Sequence, residues 1–491
     1  MDFIEFEKLA KTYTLIPVYE KITADLLTPL LAYLKIREPN VQSFLLESVE
    51  GVESFGRYSF IGKKPEKIIY NQGRKLFISE NGKTTIIGEN IFDFIRKEIS
   101  TVNCARTEDL PFFTSGIVGY LGYENISLIE NSIEFKNEKG GNPDSIFGIY
   151  KSFLAFDHYK HQIILITNVL ITPETNLSKA FSNAKAILSE LRKDLSRPIS
   201  YKSNFNLTSD ISENISDEEF HQLVIKSKQN IIEGDIFQIV LSKRFSAEYN
   251  GDLLNVYRAL RIINPSPYMY FLEFNKGLSI LGTSPENLVK VKNGIAETMP
   301  IAGTRKRGKS AEEDKEMEDD LLNDPKELAE HVMLLDLGRN DLGRVCEYNT
   351  IKIPQQMTIH KFSHVMHLVS RVEGRLTENK DCIDALCSCF PAGTVTGAPK
   401  IRAIQLINKY ESTKRNIYAG AIGYIDLSGN MDMCITIRTL FAKNNIISWQ
   451  AGAGIVADSI PELESKEIKN KSQVMYNALK YAGGIDEDIS Y

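Results

Sequence analysis

A chain of 491 residues with 43% hydrophobic and 25% charged residues has the composition of an ordinary globular protein, long enough for two or three domains. Its net charge of -6, from 58 Lys and Arg against 64 Asp and Glu, leaves no cationic excess for phosphates and argues against a nucleic-acid binder. The opening MDFIEFEKLAK lacks a signal-peptide core, and no later run reaches the ~18 apolar residues of a membrane span. In chain order, residues 1–172 read as short strands: SFLLESVEG, RYSFIGKKP, KIIYNQGRKLFIS, GIVGYLGYE and HQIILITNVLI, punctuated by Gly and Pro. Residues 173–217 hold one helix, LSKAFSNAKAILSELRKDL, and then the polar tract SYKSNFNLTSDISENISD, read as a linker. From 218 to 491, helices such as EEFHQLVIKSKQNII and CIDALCSCF alternate with strands such as YMYFLEF, AGAIGYID and NIISWQAG, which gives an α+β class. The six cysteines (Cys104, Cys346, Cys382, Cys387, Cys389, Cys434) lack paired metal-ligand spacing and are expected as reduced thiols of a cytoplasmic protein.

One string invites a nucleotide-binding reading. GTRKRGKS, 303–310, fits the phosphate-loop pattern G-x-x-x-x-G-K-[ST]. Its interior is Thr, Arg, Lys and Arg rather than small residues, Pro300 interrupts the strand expected before it, and the following AEEDKEMEDDLL opens on acids that would repel a triphosphate. A solvated basic loop is the better reading. More informative is DPKELAEHVMLLDLGRNDLGR, 324–344, where Asp324 reads as N-cap, Pro325 as the first helical residue, and Leu328, Val332 and Leu335 as the apolar stripe. Glu327 and Glu330 share one face of this helix, although Glu327 also suits a capping box. A second helix, in SIPELESKEIKNKSQVMYNALKYAGG, repeats the device with Glu464 and Glu467, and Lys471 lies one turn on. Spacing alone favours solvated ion-pairing faces. Two such helices together have the chemistry to hold Mg2+, which takes one or two carboxylates plus substrate oxygens and waters.

A series of local strings resolves the choice. FLLESVEGVESFGRYSFIG (44–62), EGDIFQIVLSKRF (233–245), NPSPYMYF (264–271), GTSPE (282–286), TMPIAGTRKRG (298–308), ELAEHVMLLDLGRNDLGRV, HVMHLVSRVEG (364–374), FPAGTVTGAPK (390–400), YAGAIGY (418–424), ITIRT (435–439) and QAGAGIVADSIPELESKE (450–467) run in family order over nearly the whole chain. Together they resemble the chorismate-utilising enzymes, and within them anthranilate synthase component I. The resemblance implies a complex sandwich of two β-sheets flanked by helices, with the two sequence halves interleaved. The phosphate-loop match becomes the family's PIAGTR-x-RG loop followed by a coincidental Lys309-Ser310.

By motif match, Glu330 and Glu467 are expected as Mg2+ ligands with Glu327 and Glu464 in support. Arg438 and Tyr418, with the backbone of Gly452, Ala453 and Gly454, are expected at the enolpyruvyl arm of chorismate, and Gly303, Thr304, Thr394 and Lys471 near the ring carboxylate and metal. Glu286 is expected as the general acid, which requires a raised pKa, and His367 as the residue of the pyruvate-forming step. Gln238 stands where water-adding relatives carry a lysine base; an amide cannot deprotonate water, which points to ammonia as nucleophile. Ala302, in place of a lysine found in many aminodeoxychorismate synthases, favours anthranilate synthase over that alternative. The chain has no glutamine-amidotransferase Cys motif, so the resemblance implies a separate glutaminase subunit as ammonia source. It also implies tryptophan feedback, with Glu47 and Ser48 meeting the amino group and Asn264, Pro267, Tyr268, Met269 and Phe271 lining the pocket.

Overall fold

A computed structural model describes residues 1–48, 56–135, 141–199, 201, 204–361 and 365–485. Residues 49–55 of the first motif, 200, 202 and 203 of the polar tract, and His364 lie outside these described residues.

Two antiparallel sheets carry the fold. In the first, Leu15–Thr23, Gln162–Leu170, Ser152–Asp157, Tyr58–Lys63 and Ser43–Glu47 run edge to edge into Tyr268–Phe274, Leu278–Ser284, Thr439–Lys443, Ile446–Ile455 and Gln238–Gly251. In the second, Ile301–Lys306, Val365–Arg375, Ile295–Thr298, Asn287–Lys292, Met431–Ile435 and Ala421–Asp426 continue into Gly116–Leu121, Ser145–Tyr150 and the Lys67–Gln72 meander. Each sheet therefore joins early and late strands; Ser43–Glu47 pairs directly with Tyr268–Phe274 in the register Glu47↔Met269, Leu45↔Phe271.

The strand Gln162–Leu170 shows why its sequence is continuously apolar. Ile163, Leu165 and Val169 join a core beneath the helices, while Ile164 and Ile166 join a second core between the two sheets. A period of two with both faces buried leaves no polar alternation. The first core packs the helices Pro29–Ile36, Leu177–Leu195, Asp217–Ile232, Leu253–Ile263 and Pro461–Ala482 on the outer face of the first sheet. A third core packs Ile91–Ser100, Pro325–Gly343 and Cys382–Cys389 on the second. The layering is helix, sheet, sheet, helix. The polar tract adds two short strands, Phe205–Leu207 and Ser212-Glu213, along Gln238–Gly251.

Two close-spaced crossings position the site. The chain leaves the first sheet at Ser284 and enters the second at Asn287, with Pro285 and Glu286 between. It returns from the second sheet at Ile435 to the first at Thr439, with Arg438 in the gap. The crossings are tied together: Ile435 N donates to Glu286 O (3.0 Å), and Thr283 N donates to Arg438 O (3.1 Å).

Candidate active site

The first carboxylate-bearing helix begins where expected. Asp324 caps Pro325–Gly343, accepting from Lys326 N (2.9 Å) and Glu327 N (3.2 Å), and Pro325 fills the first position, where no N–H is needed. Its buried stripe differs from the sequence reading. His331, Leu334, Leu335 and Leu342 face the protein, whereas Val332 is 43% exposed. A polar residue takes the core position because His331 Nε2 is satisfied by Ser370 Oγ at 2.6 Å. The Glu327 side chain closes no capping box; Oε1 accepts from Arg305 Nη1 at 3.1 Å.

The second helix, Pro461–Ala482, buries Ile468, Met475 and Leu479 and turns Glu464 and Glu467 toward the first. Glu467 pairs with Lys471 at 2.6 Å. Burial first, and then the charge of Glu327, raise the Glu330 carboxyl, with Lys471 opposing and Glu467 adding. Glu464 is raised by burial, opposed by Ser459, and raised further by Glu467. The two helices thus bring four carboxylates within electrostatic reach. Among the described residues no three acidic, His or Cys side chains converge at metal-ligating geometry. Mg2+ takes one or two protein carboxylates and completes its octahedron with water and substrate oxygens, so these side chains could hold it only together with such oxygens. Glu330 and Glu467, coupled through their charges, are the two side chains that could contribute to such a site.

The floor beside these helices is the strand Ile301–Lys306. Gly303 adopts φ +68°, and a Cβ there would lie 2.7 Å from Leu321 and 3.2 Å from Glu327 Oε2, so only glycine fits. His367, across the strand pair from Thr304, has Nδ1 3.0 Å from both Gly303 O and the Thr304 hydroxyl. A carbonyl only accepts, so Nδ1 carries the proton and Nε2 is the basic nitrogen. Burial lowers the His367 pKa, opposed by the Gly303 bond and assisted by Arg438.

Glu286 lies at the crossing, 9% exposed. Burial pushes its carboxyl up to about 7, against Thr394, Arg438 and Lys471, which lower it. Arg438, at the other crossing, has φ +48° and makes no ion pair among the described residues. Burial lowers its pKa, and the nearby Glu286 opposes that. A largely enclosed guanidinium in a strained backbone without a carboxylate is costly unless an incoming anion completes it. Around it, an added Cβ at Gly452 would lie 2.5 Å from the Tyr418 hydroxyl, and one at Gly454 would lie 2.6 Å from Gln238 Nε2. Burial pushes the Tyr418 phenol up to about 12, which keeps it a hydrogen-bond donor. Lys471 Nζ donates to Gly452 O (3.2 Å), linking the metal-side helix to this cradle of Gly452, Ala453 and Gly454. The structure thus brings Gln238, Glu286, His367, Thr394, Tyr418, Arg438 and Lys471 to one region between the sheets and the two acidic helices.

The residues expected for tryptophan divide. Glu47, Ser48, Pro267, Tyr268 and Met269 line a separate cavity of about 280 Å³. Glu47 Oε2 accepts from Tyr257 OH at 2.6 Å and lies 3.5 Å from Arg261 Nε; burial raises its carboxyl. Ser48 Oγ is buried without a hydrogen-bond partner among the described residues. Phe271 is not in the cavity. It packs edge-on to Tyr33 and beside Tyr257 in the helix-side core, because its strand parity is opposite to that of Tyr268. Asn264 ends the Leu253–Ile263 helix and joins Thr283, away from the cavity lining. The sequence reading missed Tyr257 and Arg261, which hold Glu47, and the pair Lys290–Asp432 (3.1 Å) on the cavity wall. These come from strands and helices distant in sequence, and no local pattern marks them.

The GTRKRGKS string is answered by its own hydrogen bonds. Gly303 to Lys306 are strand, and Ser310 caps the helix Ala311–Asn323. Gly308 N donates to Asp314 Oδ1 (2.6 Å), Lys309 N to Glu313 Oε2 (2.6 Å), and Arg307 clasps Asp314 (2.5 Å). Carboxylates of the chain already occupy the amides a phosphate would need.

The site's design, a lone guanidinium for a carboxylate beside carboxylates suited to a cation and a buried acid, is that of an enzyme working on a polyanionic organic acid, and the chain belongs to the chorismate binding enzyme family, whose model matches residues 43–477. Within the family it is 44% identical to anthranilate synthase component 1 of Acetivibrio thermocellus, covering 98% of each chain, and 41% identical to that of Aquifex aeolicus, covering 99% and 98%. The solved anthranilate synthase component I of Streptococcus pneumoniae TIGR4 superposes with a TM-score of 0.76 at 38% identity, over 93% of this chain and 99% of that one. The menaquinone-specific isochorismate synthase of Escherichia coli shares the fold at 18% identity, with a TM-score of 0.71 over 97% and 100% of the chains. Among the described residues no helix is long and apolar enough to cross a membrane.

Proposed function

We propose that this chain is the synthase component that converts chorismate and ammonia to anthranilate and pyruvate. The observation that carries this reading is the proximity of Arg438, without an ion-pair partner among the described residues, to Glu286, whose carboxyl burial raises to about 7, at two adjacent crossings tied by backbone hydrogen bonds. Arg438, the Tyr418 hydroxyl and the glycine cradle bind the enolpyruvyl carboxylate. Gly303 and Thr304 approach the ring carboxylate, and Lys471 adds positive charge there. Glu330 and Glu467, with Glu327 and Glu464 in support, would hold Mg2+, which when bound would supply charge masking at that carboxylate.

Glu286 donates its proton to the C4 hydroxyl as the C4–O bond breaks and ammonia adds at C2. Gln238, an amide at the start of Gln238–Gly251, cannot deprotonate a water at that position, which supports ammonia as the nucleophile. His367 Nε2 then serves the second stage, in which the C2 proton is lost and the enolpyruvyl group departs as pyruvate. Ammonia comes from a partner glutaminase subunit, with free ammonium as its substitute. The six free thiols suit a cytoplasmic setting. The cavity lined by Glu47, Ser48 and Tyr268 takes tryptophan as inhibitor: the acidic group and the orphaned Ser48 hydroxyl meet its amino group, and the aromatic wall its indole.

The test is product formation by the purified chain with chorismate, Mg2+ and ammonium. Anthranilate fluorescence and pyruvate should rise together and vanish with EDTA. Chorismate consumed without pyruvate would refute the lyase reading in favour of aminodeoxychorismate formation.

A further inference from the structure

Beside Glu286, against the C-terminal half of the helix Pro325–Gly343, is a second, small cavity of about 40 Å³, lined by Glu286, Asn287, Thr298, Gly338, Asp341 and Thr394 among others. Asn287 is 5% exposed. Its Nδ2 donates to Tyr268 OH (2.9 Å), and Tyr268 OH in turn donates to Asp432 Oδ1 (2.9 Å). The orientation of the amide is set by this chain: the phenol spends its proton on Asp432 and accepts from nitrogen, and Met433 O at 3.5 Å also needs a donor. The other atom, Oδ1, is buried without a partner among the described residues, whereas the Thr394 hydroxyl faces the Glu286 carboxyl and lowers its pKa. An orphaned amide oxygen, a hydroxyl and a carboxyl around one small cavity meet the requirement for a bound water, which needs about 10–15 Å³ of accessible space and two to four partners.

We propose that Asn287 is a positioning residue for Glu286, acting through one water in this cavity, and that it carries to Glu286 the state of the large cavity. The water donates to Asn287 Oδ1 and to the carbonyl oxygen of the Glu286 carboxyl, and accepts from Thr394 Oγ1. That leaves the Glu286 O–H as the bond aimed at the substrate. Asn287 can hold the water only while Tyr268 holds Asn287, and Tyr268, Lys290 and Asp432 all line the 280 Å³ cavity. A ligand that moves the Tyr268 phenol therefore releases the amide. The strand beginning at Asn287 has room to respond, because its pairing with Met431–Ile435 is irregular between Asn287 and Val289. The inference rests on Glu286 as acid and, for the coupling, on tryptophan as effector.

The experiment uses the full chain with chorismate, Mg2+ and ammonium. A crystal structure that resolves ordered solvent should show one water touching Asn287 Oδ1 and Glu286. Asn287→Ala should lower kcat about tenfold, the worth of one hydrogen bond at about 1.4 kcal/mol, with chorismate KM nearly constant and the alkaline limb of kcat/KM displaced. Calorimetry with L-tryptophan should show binding retained in Asn287→Ala while saturating tryptophan inhibits only partly. Tyr268→Phe, which keeps the ring, should displace the same limb even where Asn287→Ala does not fold. A dry cavity together with a wild-type rate and pH profile in both variants would overturn the positioning role. A slow Asn287→Ala enzyme that tryptophan still silences fully would overturn the coupling. An unimpaired Glu286→Gln enzyme, or a wild-type enzyme that does not bind tryptophan, would instead locate the failure in the underlying assignments.

Discussion

Replacing Glu286 by Gln separates its chemical role from its structural cost. Burial holds the carboxyl at about 7, against 4.5 for an exposed glutamate. At about 1.36 kcal/mol per pH unit, that gap is about 3 kcal/mol of preference for the neutral form in the folded state. The folded pKa is raised, so the associated stability is complete below pH 4.5 and is lost as the pH climbs through about 7. Gln cannot ionise and escapes that loss. For 491 residues the unfolding entropy is about 1 kcal/mol per kelvin, so Glu286→Gln should melt about 3 °C above wild type at pH 8.5, with no advantage at pH 4.5. Activity should move the other way. A general acid contributes about 10²–10⁴-fold, and the wild-type kcat/KM, which reports the free enzyme, should fall as pH rises past about 7. The variant should lose that limb with its rate. Differential scanning fluorimetry across pH and anthranilate fluorescence read the two effects. A variant that is less stable at every pH, or that keeps the alkaline limb, would refute the assignment of a buried, protonated acid.

The glycine cradle makes a steric prediction: Gly452→Ala should press on the Tyr418 hydroxyl and on the Leu241 carbonyl (2.9 Å), and Gly454→Ala on Gln238, lowering kcat/KM for chorismate at least about tenfold, read by steady-state kinetics, without φ strain because neither glycine has positive φ. Glu330→Gln should raise the melting temperature in EDTA, since it relieves the like charges of Glu327 and Glu467, yet abolish most of the stabilisation that wild type gains on adding Mg2+. Ser48→Phe should fill part of the large cavity and cover the orphaned hydroxyl position, so L-tryptophan binding by calorimetry should weaken at least about tenfold.

Local chemistry made much of this legible. Asp324-Pro325 and Pro461 announce two helix starts, and i,i+3 spacing then puts each glutamate pair on one face; nothing beyond the next turn is needed. Where the reading slipped, the cause was tertiary. Val332 falls on one apolar stripe with Leu328 and Leu335, and only Ser370, from another strand, makes its neighbour His331 the buried residue. Phe271 was grouped with Tyr268 by motif, but strand parity sends the two to opposite faces. The partners of Glu47 lie 210 and more residues away, at Tyr257 and Arg261, beyond any window over which periodicity speaks.

The deeper regularity lies in the crossings between sheets. A residue inside a ladder belongs to one core or the other, and its side chain is fixed by parity. Glu286 and Arg438 sit where the chain has left one ladder and not yet joined the next, and the backbone bonds between the crossings hold them side by side. Neither can be packed as core, since one is a carboxyl and the other a guanidinium, and neither is free to reach bulk solvent. Both consequently carry shifted pKa values of the kind that buried charge produces, upward for the acid and downward for the base. Bound together as a salt bridge they would satisfy each other and leave nothing for substrate. Attached to different crossings, the two make no ion pair among the described residues, and burial sets the direction of each shift. Both crossings join strands of the later half of the chain, Leu278–Ser284 to Asn287–Lys292 and Met431–Ile435 to Thr439–Lys443, and they place the two groups where hydrophobic periodicity falls silent.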